Sequence, residues 1–170
     1  KLRPLASPPR FSIADTAFRC EHQAMSKLTL RYQYDSSVFD PDQQTDDFGW
    51  LEVKVETDRF SGDGGCWVQW QDVKEFGKAL SAFPITTDHP IVVQWGFDMQ
   101  EGDDLILRLE IAPANTRGDL AVRFEVADYA EPRHRARGCF MTNYPDLDAF
   151  RQSIAHLMDR QVEEATLAGR

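Results

Sequence analysis

The chain has 170 residues, 42% of them hydrophobic and 11% aromatic, a composition that predicts one folded domain and excludes a disordered chain. With 28 acidic and 19 basic residues, its net charge is -9 and its sequence pI is near 4.9. Such a charge disfavours binding to nucleic acid or to an anionic membrane, and is explained either by plain solubility or by a basic partner.

The N-terminal residues 1–24 are predicted to be an arm outside the main domain. Residues 1–10 contain three prolines and favour an extended backbone, and residues 12–24 have the spacing of a short helix. We therefore expect a single α+β domain over residues 25–162, followed by a C-terminal tail at residues 163–170.

Alternating apolar and polar residues predict the strands of this domain. Leu51, Val53 and Val55, for example, share one face of a strand, while Glu52 and Lys54 share the other. The glycine-rich residues 61–65 are expected to form a turn. The same alternation predicts six strands and a weaker seventh in a mostly antiparallel sheet: residues 28–34, 50–57, 66–70, 91–97, 105–111, 120–126 and 134–142.

Two amphipathic helices are expected to pack on this sheet. The first has Asp72 as its N-cap, with an apolar stripe at Val73, Phe76, Leu80 and Phe83. The second begins near Pro145, with a stripe at Leu147, Phe150, Ile154 and Leu157. The matching spacing has two explanations, a duplicated strand–helix unit or the ordinary pattern of helices on a sheet, and the second is preferred.

Charge also predicts the register of the fifth and sixth strands. The inner face of the fifth strand carries odd-numbered residues, and that of the sixth carries even-numbered residues. In an antiparallel pair, the two residue numbers of every facing pair have the same sum, which must therefore be odd here. A total of 233 places Arg108 opposite Glu125 and Glu110 opposite Arg123, whereas 231 and 235 oppose like charges.

The sequence contains no recognisable catalytic constellation, phosphate-binding loop or metal-binding motif. The four histidines lack metal-ligand spacing. Residues 40–47 begin like a calcium loop but have Thr45 where that loop needs glycine and, further on, Leu51 where it needs glutamate. Cys20, Cys66 and Cys139 are far apart, which predicts no disulfide framework and suits a reducing, cytoplasmic compartment. We therefore expect a non-enzymatic protein without a cofactor or metal.

Acidic loops and tryptophans are the candidate binding residues. The acidic residues would face a basic protein partner: Asp40, Asp42, Asp46, Asp47, Asp98, Glu101, Asp103 and Asp104. The tryptophans either pack in the core, wait for a partner or line a ligand cavity: Trp50, Trp67, Trp70 and Trp95. Arg133, Arg135 and Arg137 are expected to pair with carboxylates along an edge strand.

The order of strands and helices resembles the WapI-type immunity proteins, which protect bacteria against contact-delivered polymorphic toxins. The resemblance covers roughly residues 27–158 and is carried by packing positions: Trp50, Leu51, Val53, Val55, Asp72, Val73, Phe76, Leu80, Leu105, Leu107, Leu109, Leu120, Val122, Phe124, Leu147, Phe150 and Ile154. It implies a protein that binds and neutralises a basic toxin. The alternative is a ligand-binding module of the helix-grip kind, with a tryptophan-lined apolar cavity between the sheet and the C-terminal helix.

Overall fold

The computed structural model describes residues 26–35 and 47–170, and this part of the chain forms two four-stranded antiparallel sheets and two α-helices. Sheet 1 has the strand order β3-β2-β1-β8, and sheet 2 has the order β4-β5-β6-β7. The elements are β1 Lys27–Tyr34, β2 Phe48–Glu56, β3 Ser61–Gln69, α1 Trp70–Ala79, β4 Ile91–Gly96, β5 Leu105–Pro113, β6 Asp119–Ala127, β7 Arg135–Asn143, α2 Tyr144–Met158 and β8 Ala165–Ala168. The α+β class is confirmed, but the expectation of one sheet with six or seven strands is wrong.

The topology repeats. In each half of the chain, three consecutive antiparallel strands lead directly into a helix: β1-β2-β3-α1 and β5-β6-β7-α2. The strand that follows each helix joins the sheet of the other half, because β4 pairs with β5 and β8 pairs with β1. Phe76 and Phe150 hold matching places in the two helices, and their rings meet edge to face with centroids 6.4 Å apart. The matching spacing of apolar residues in the two helices is therefore part of a topology that occurs twice in the chain.

The glycine-rich residues 61–65 form the first half of β3 and not the expected turn. A Cβ atom at Gly62 would lie 2.5 Å from the Cβ of Ala136, and one at Gly64 would lie 2.2 Å from the carbonyl oxygen of Ala127. Glycine is needed here because the backbone of β3 passes so close to sheet 2 that no side chain fits. This strand is where the two sheets meet.

The first helix starts and ends earlier than expected. It begins at Trp70 after Gln69, so Asp72 lies in the first turn and does not cap the helix. It ends at Ala79, and Phe83 lies beyond the helix with its ring largely exposed. Within the described residues, no helix combines the length and the apolar character needed to cross a membrane.

The second helix agrees with its expected start and stripe. Asn143 is the N-cap, and its side-chain oxygen accepts a hydrogen bond from the backbone N–H of Asp146 at 2.9 Å. The predicted stripe is buried in the common core, with Phe150 completely inaccessible to solvent. Phe76 is also buried, so both phenylalanines are core anchors.

The predicted register of β5 and β6 is confirmed. Arg108 lies opposite Glu125, and Glu110 lies opposite Arg123. The Arg123 guanidinium is 2.6 Å from the carboxylate of Glu110, whereas Arg108 is 3.3 Å from Glu110 on its own strand. Opposite charges thus face each other in this register, although Arg108 takes its ion-pair partner along the strand and not across it.

The expected C-terminal tail is part of the sheet. Ala165 and Leu167 of β8 are buried, and Arg170 exchanges backbone hydrogen bonds with Met141 of β7 at 2.8 and 3.4 Å. A four-residue strand that ends the sheet is too short for its alternation to be distinguished from chance. The predicted N-terminal arm lies outside the described residues.

The cysteines differ from the expected free thiols. Cys66 is a free, buried cysteine, and burial raises the pKa of its thiol to about 12. Cys139 is disulfide-bonded. The cysteines therefore no longer argue for a reducing compartment.

Candidate functional site

Four aromatic side chains, two from sheet 1 and two from loops that connect strands of sheet 2, form a continuous group, here called the aromatic cluster: Trp50, Trp67, Phe97 and Tyr129. The ring of Trp50 meets that of Trp67 edge to face at a centroid distance of 5.6 Å and that of Tyr129 at 5.1 Å. Tyr129 in turn contacts Phe97 at 4.9 Å. Trp67 is 46% exposed and Tyr129 is 38% exposed, so the cluster presents large rings to solvent. Exposed aromatic groups of this kind are typical of protein-binding surfaces.

Strand register and one glycine position the cluster. Trp50 on β2 and Trp67 on β3 are cross-strand partners on the outer face of sheet 1. A Cβ atom at Gly65, the neighbour of Trp67 on the same face, would lie 2.8 Å from the indole nitrogen of Trp50. Because Gly65 has no side chain, the Trp50 ring lies across β3 and makes its contact with Tyr129.

Arg135 ties together the two loops that supply Phe97 and Tyr129. Its guanidinium donates hydrogen bonds to the carbonyl oxygens of Gly102 at 2.8 Å and Leu105 at 3.1 Å, next to the β4–β5 turn. It also donates to the carbonyl oxygen of Pro132 in the β6–β7 loop at 3.2 Å and pairs with Glu125. Because the Arg135 side chain is mostly buried, these hydrogen bonds fix the β4–β5 and β6–β7 loops relative to each other.

The basic stripe of the sequence is paired with carboxylates, as expected. Arg135 and Arg137 both bind Glu125, the second at 2.8 Å, and Arg133 lies 4.0 Å from Glu131. Burial by itself would raise the pKa of Glu125, but the hydrogen bonds from Arg135 and Arg137 outweigh it and hold the pKa below its usual value.

The acidic turn follows the cluster directly, since Phe97 precedes it. Its carboxylates are Asp98, Glu101, Asp103 and Asp104, of which the first three are exposed. None of the four is in an ion pair with a side chain of the described residues, whereas Glu110 and Glu125 on sheet 2 are both ion-paired. The turn therefore adds uncompensated negative charge beside exposed rings.

Of the candidate acidic residues at positions 40–47, Asp47 lies within the described part of the chain. Its carbonyl oxygen accepts the N–H of Trp70 at 3.0 Å, and its carboxylate accepts the side-chain amide of Gln71 at 3.1 Å. It precedes Phe48, a partly exposed residue that shares the outer face of β2 with Trp50. Asp40, Asp42 and Asp46 lie outside the described residues.

The four tryptophans do not line one common cavity. Trp95 is buried in the core, where its ring meets Phe76 at 5.7 Å. Trp70 is the first residue of α1, and the Lys74 ammonium lies 4.9 Å from the centre of its ring. Only Trp50 lines the open groove of ≈ 730 Å³ between sheet 1 and the α2–β8 connection, which Leu157 and Arg160 also line.

Sequence reasoning missed two residues of this site and part of the role of a third. The sequence predicts Phe97 as the last residue of a strand at residues 91–97, but β4 ends at Gly96 after a register shift between Trp95 and Gly96, and Phe97 is only partly buried against the core. Tyr129 stands in a loop without any periodic signal. Arg135 was expected to pair with a carboxylate, but its bonds to loop carbonyl oxygens depend on the approach of two distant turns.

The arrangement offers non-covalent binding through exposed rings and negative charge. No group of three or more histidine, cysteine or acidic side chains is placed to hold a metal ion in the part of the chain that the structure describes. No protein-family model matches the chain, and no curated protein sequence matches it.

Proposed function

We propose that this chain is a non-enzymatic binding protein that neutralises a basic protein partner, in the manner of an immunity protein that binds a toxin. The observation that carries the proposal is the aromatic cluster beside an acidic turn whose carboxylates pair with no described cation. Trp67 and Tyr129 would enter the centre of the interface, and Asp98, Glu101 and Asp103 would form its rim.

Aromatic and acidic residues contribute to binding in different ways. Buried tryptophan and tyrosine rings are the side chains that most often dominate the affinity of an interface. Rim charges chiefly accelerate association and select partners of opposite charge, and salt screens them. A net charge of -9 adds long-range attraction for a basic protein. We therefore expect an affinity set by the rings and an association rate set by the acidic turn.

The test takes as candidate partner a toxin-like reading frame next to the gene of this protein, and the proposal expects such a reading frame to be present. Cells that express the toxic domain should survive when this chain is co-expressed, and the purified pair should bind in calorimetry. Trp67→Ala should weaken binding by about 2 kcal/mol or more, which is about 30-fold. Phe60→Ala is the matched control, because Phe60 is a 70% exposed ring outside the cluster, and it should leave affinity unchanged.

Charge is tested separately. The triple change Asp98→Asn, Glu101→Gln and Asp103→Asn should slow association and reduce its dependence on salt. The control neutralises three carboxylates outside the acidic turn, through Asp58→Asn, Asp88→Asn and Asp148→Asn. Cells that die despite co-expression, or a toxic domain that does not bind the original chain, would refute the proposed function. A toxic domain that binds equally well to the Trp67→Ala variant would show that the aromatic cluster is not the binding surface.

A further inference from the structure

A groove of ≈ 490 Å³ runs between α1 and β4. Phe76 of α1 and Trp95 of β4 both line it, and their rings meet with centroids 5.7 Å apart. Gln100, in the acidic turn, lines the groove as well. The groove therefore leads to the proposed partner-binding surface.

One wall of the groove is an open sheet edge. Among the described strands, β4 is the last of sheet 2 and pairs with β5 alone. Within the described residues, no segment other than β5 forms a backbone hydrogen bond with Ile91–Gly96. The matching strand of the other half, β8, has α2 packed against it and Arg170 bonded to β7. An uncovered edge presents unpaired N–H and C=O groups, to which another extended segment can add as a strand.

The other wall is negatively charged. Asp72 and Glu75 lie on the side of α1 that lines the groove. Neither is in an ion pair with a described side chain. Partial burial, together with the nearby charge of Glu75, raises the pKa of Asp72 above its usual value. Two like charges beside an open strand edge are complementary to an extended segment that carries lysine or arginine.

We propose that the partner inserts an extended basic segment into this groove, where it pairs with β4 as an added strand and places its cations against Asp72 and Glu75. This inference rests on the proposed function and adds the mode of binding. Main-chain hydrogen bonds to β4 supply affinity, and the acidic wall selects the charge of the segment. Its side chains alternate, so every second one points to the same wall.

The first test uses a peptide and not the partner. The probe is an acetylated, amidated heptapeptide of alternating lysine and valine, added to the ¹⁵N-labelled full chain. We expect chemical-shift changes along β4 and α1, and slower hydrogen exchange of alternate β4 amides. The Asp72→Asn, Glu75→Gln double variant should bind roughly fivefold more weakly, as two exposed ion pairs imply. The control variant Asp58→Asn, Asp148→Asn should bind as the original chain does.

Specificity is tested with two altered peptides. The same heptapeptide with glutamate at each lysine position should not bind, and neither should one with proline at its central positions, because proline cannot donate to a strand pair. Equal binding of the glutamate peptide, or shifts confined to β3 and β7, would overturn the inference.

The partner itself separates this inference from the proposed function. If the partner binds the Asp72→Asn, Glu75→Gln variant as tightly as the original chain, the groove inference fails and the function stands. If the partner loses affinity for that variant but not for Trp67→Ala, the groove is supported and the aromatic cluster is not the site. β4 amides that remain unprotected in the full complex would also overturn the inference.

Discussion

Replacing Phe150 by alanine tests whether α2 is anchored in the core as described. The Phe150 side chain is fully buried, and its ring meets that of Phe76, which in turn contacts Trp95. Removing a buried phenylalanine side chain costs about 3–5 kcal/mol, because apolar surface is lost from the core and a cavity remains. Single domains have total stabilities of about 5–15 kcal/mol, so a large part of the folding free energy depends on this residue.

Urea unfolding followed by tryptophan fluorescence measures the change in the free energy of unfolding, and thermal unfolding measures the melting temperature. At about 2–4 °C per kcal/mol for a chain of this length, the melting temperature should fall by about 6–20 °C. The contact between the rings is isolated by a double-mutant cycle with Phe76→Ala, which should give a coupling of about 0.5–1.5 kcal/mol. Phe60→Ala, at an exposed ring, should change stability by less than about 0.5 kcal/mol. A Phe150→Ala variant as stable as the original chain would show that the helix does not dock in this way.

Two further changes test the junction of the sheets and the loop anchor. Gly64→Val should destabilise the fold by about 1–3 kcal/mol in urea unfolding, because its Cβ would meet the backbone of Ala127, whereas the exposed neighbour Asp63→Val should be tolerated. The lowered pKa of Glu125 means that its charge stabilises the fold above about pH 4.3 and that this contribution is lost as the pH falls through the folded-state pKa. The stability difference between the original chain and Glu125→Gln should therefore shrink on acidification; a difference that stays constant from pH 7 to pH 3 would contradict this.

The spacing of apolar residues determined most of the strands and helices from the sequence alone, with a period of two for strands and about 3.6 for helices. Residues such as Leu51, Val53 and Val55 must share one face because successive side chains of a strand point in opposite directions, and this holds whatever the strand packs against. The pairing of β5 with β6 was equally local, since opposite charges on adjacent strands exclude the neighbouring registers. The acidic turn after Phe97 was also found from composition.

Contacts between distant segments decided the rest. Alternation says which face of a strand is buried but not which sheet the strand joins, so the exchange of β4 and β8 between the two halves could not be derived. The sequence predicts a turn at Gly64, because the close approach that requires glycine there involves Ala127, far along the chain. The aromatic cluster depends in the same way on Trp50 reaching Tyr129 across β3. Local chemistry determined the elements of this protein, and long-range packing determined which of their exposed residues form a surface.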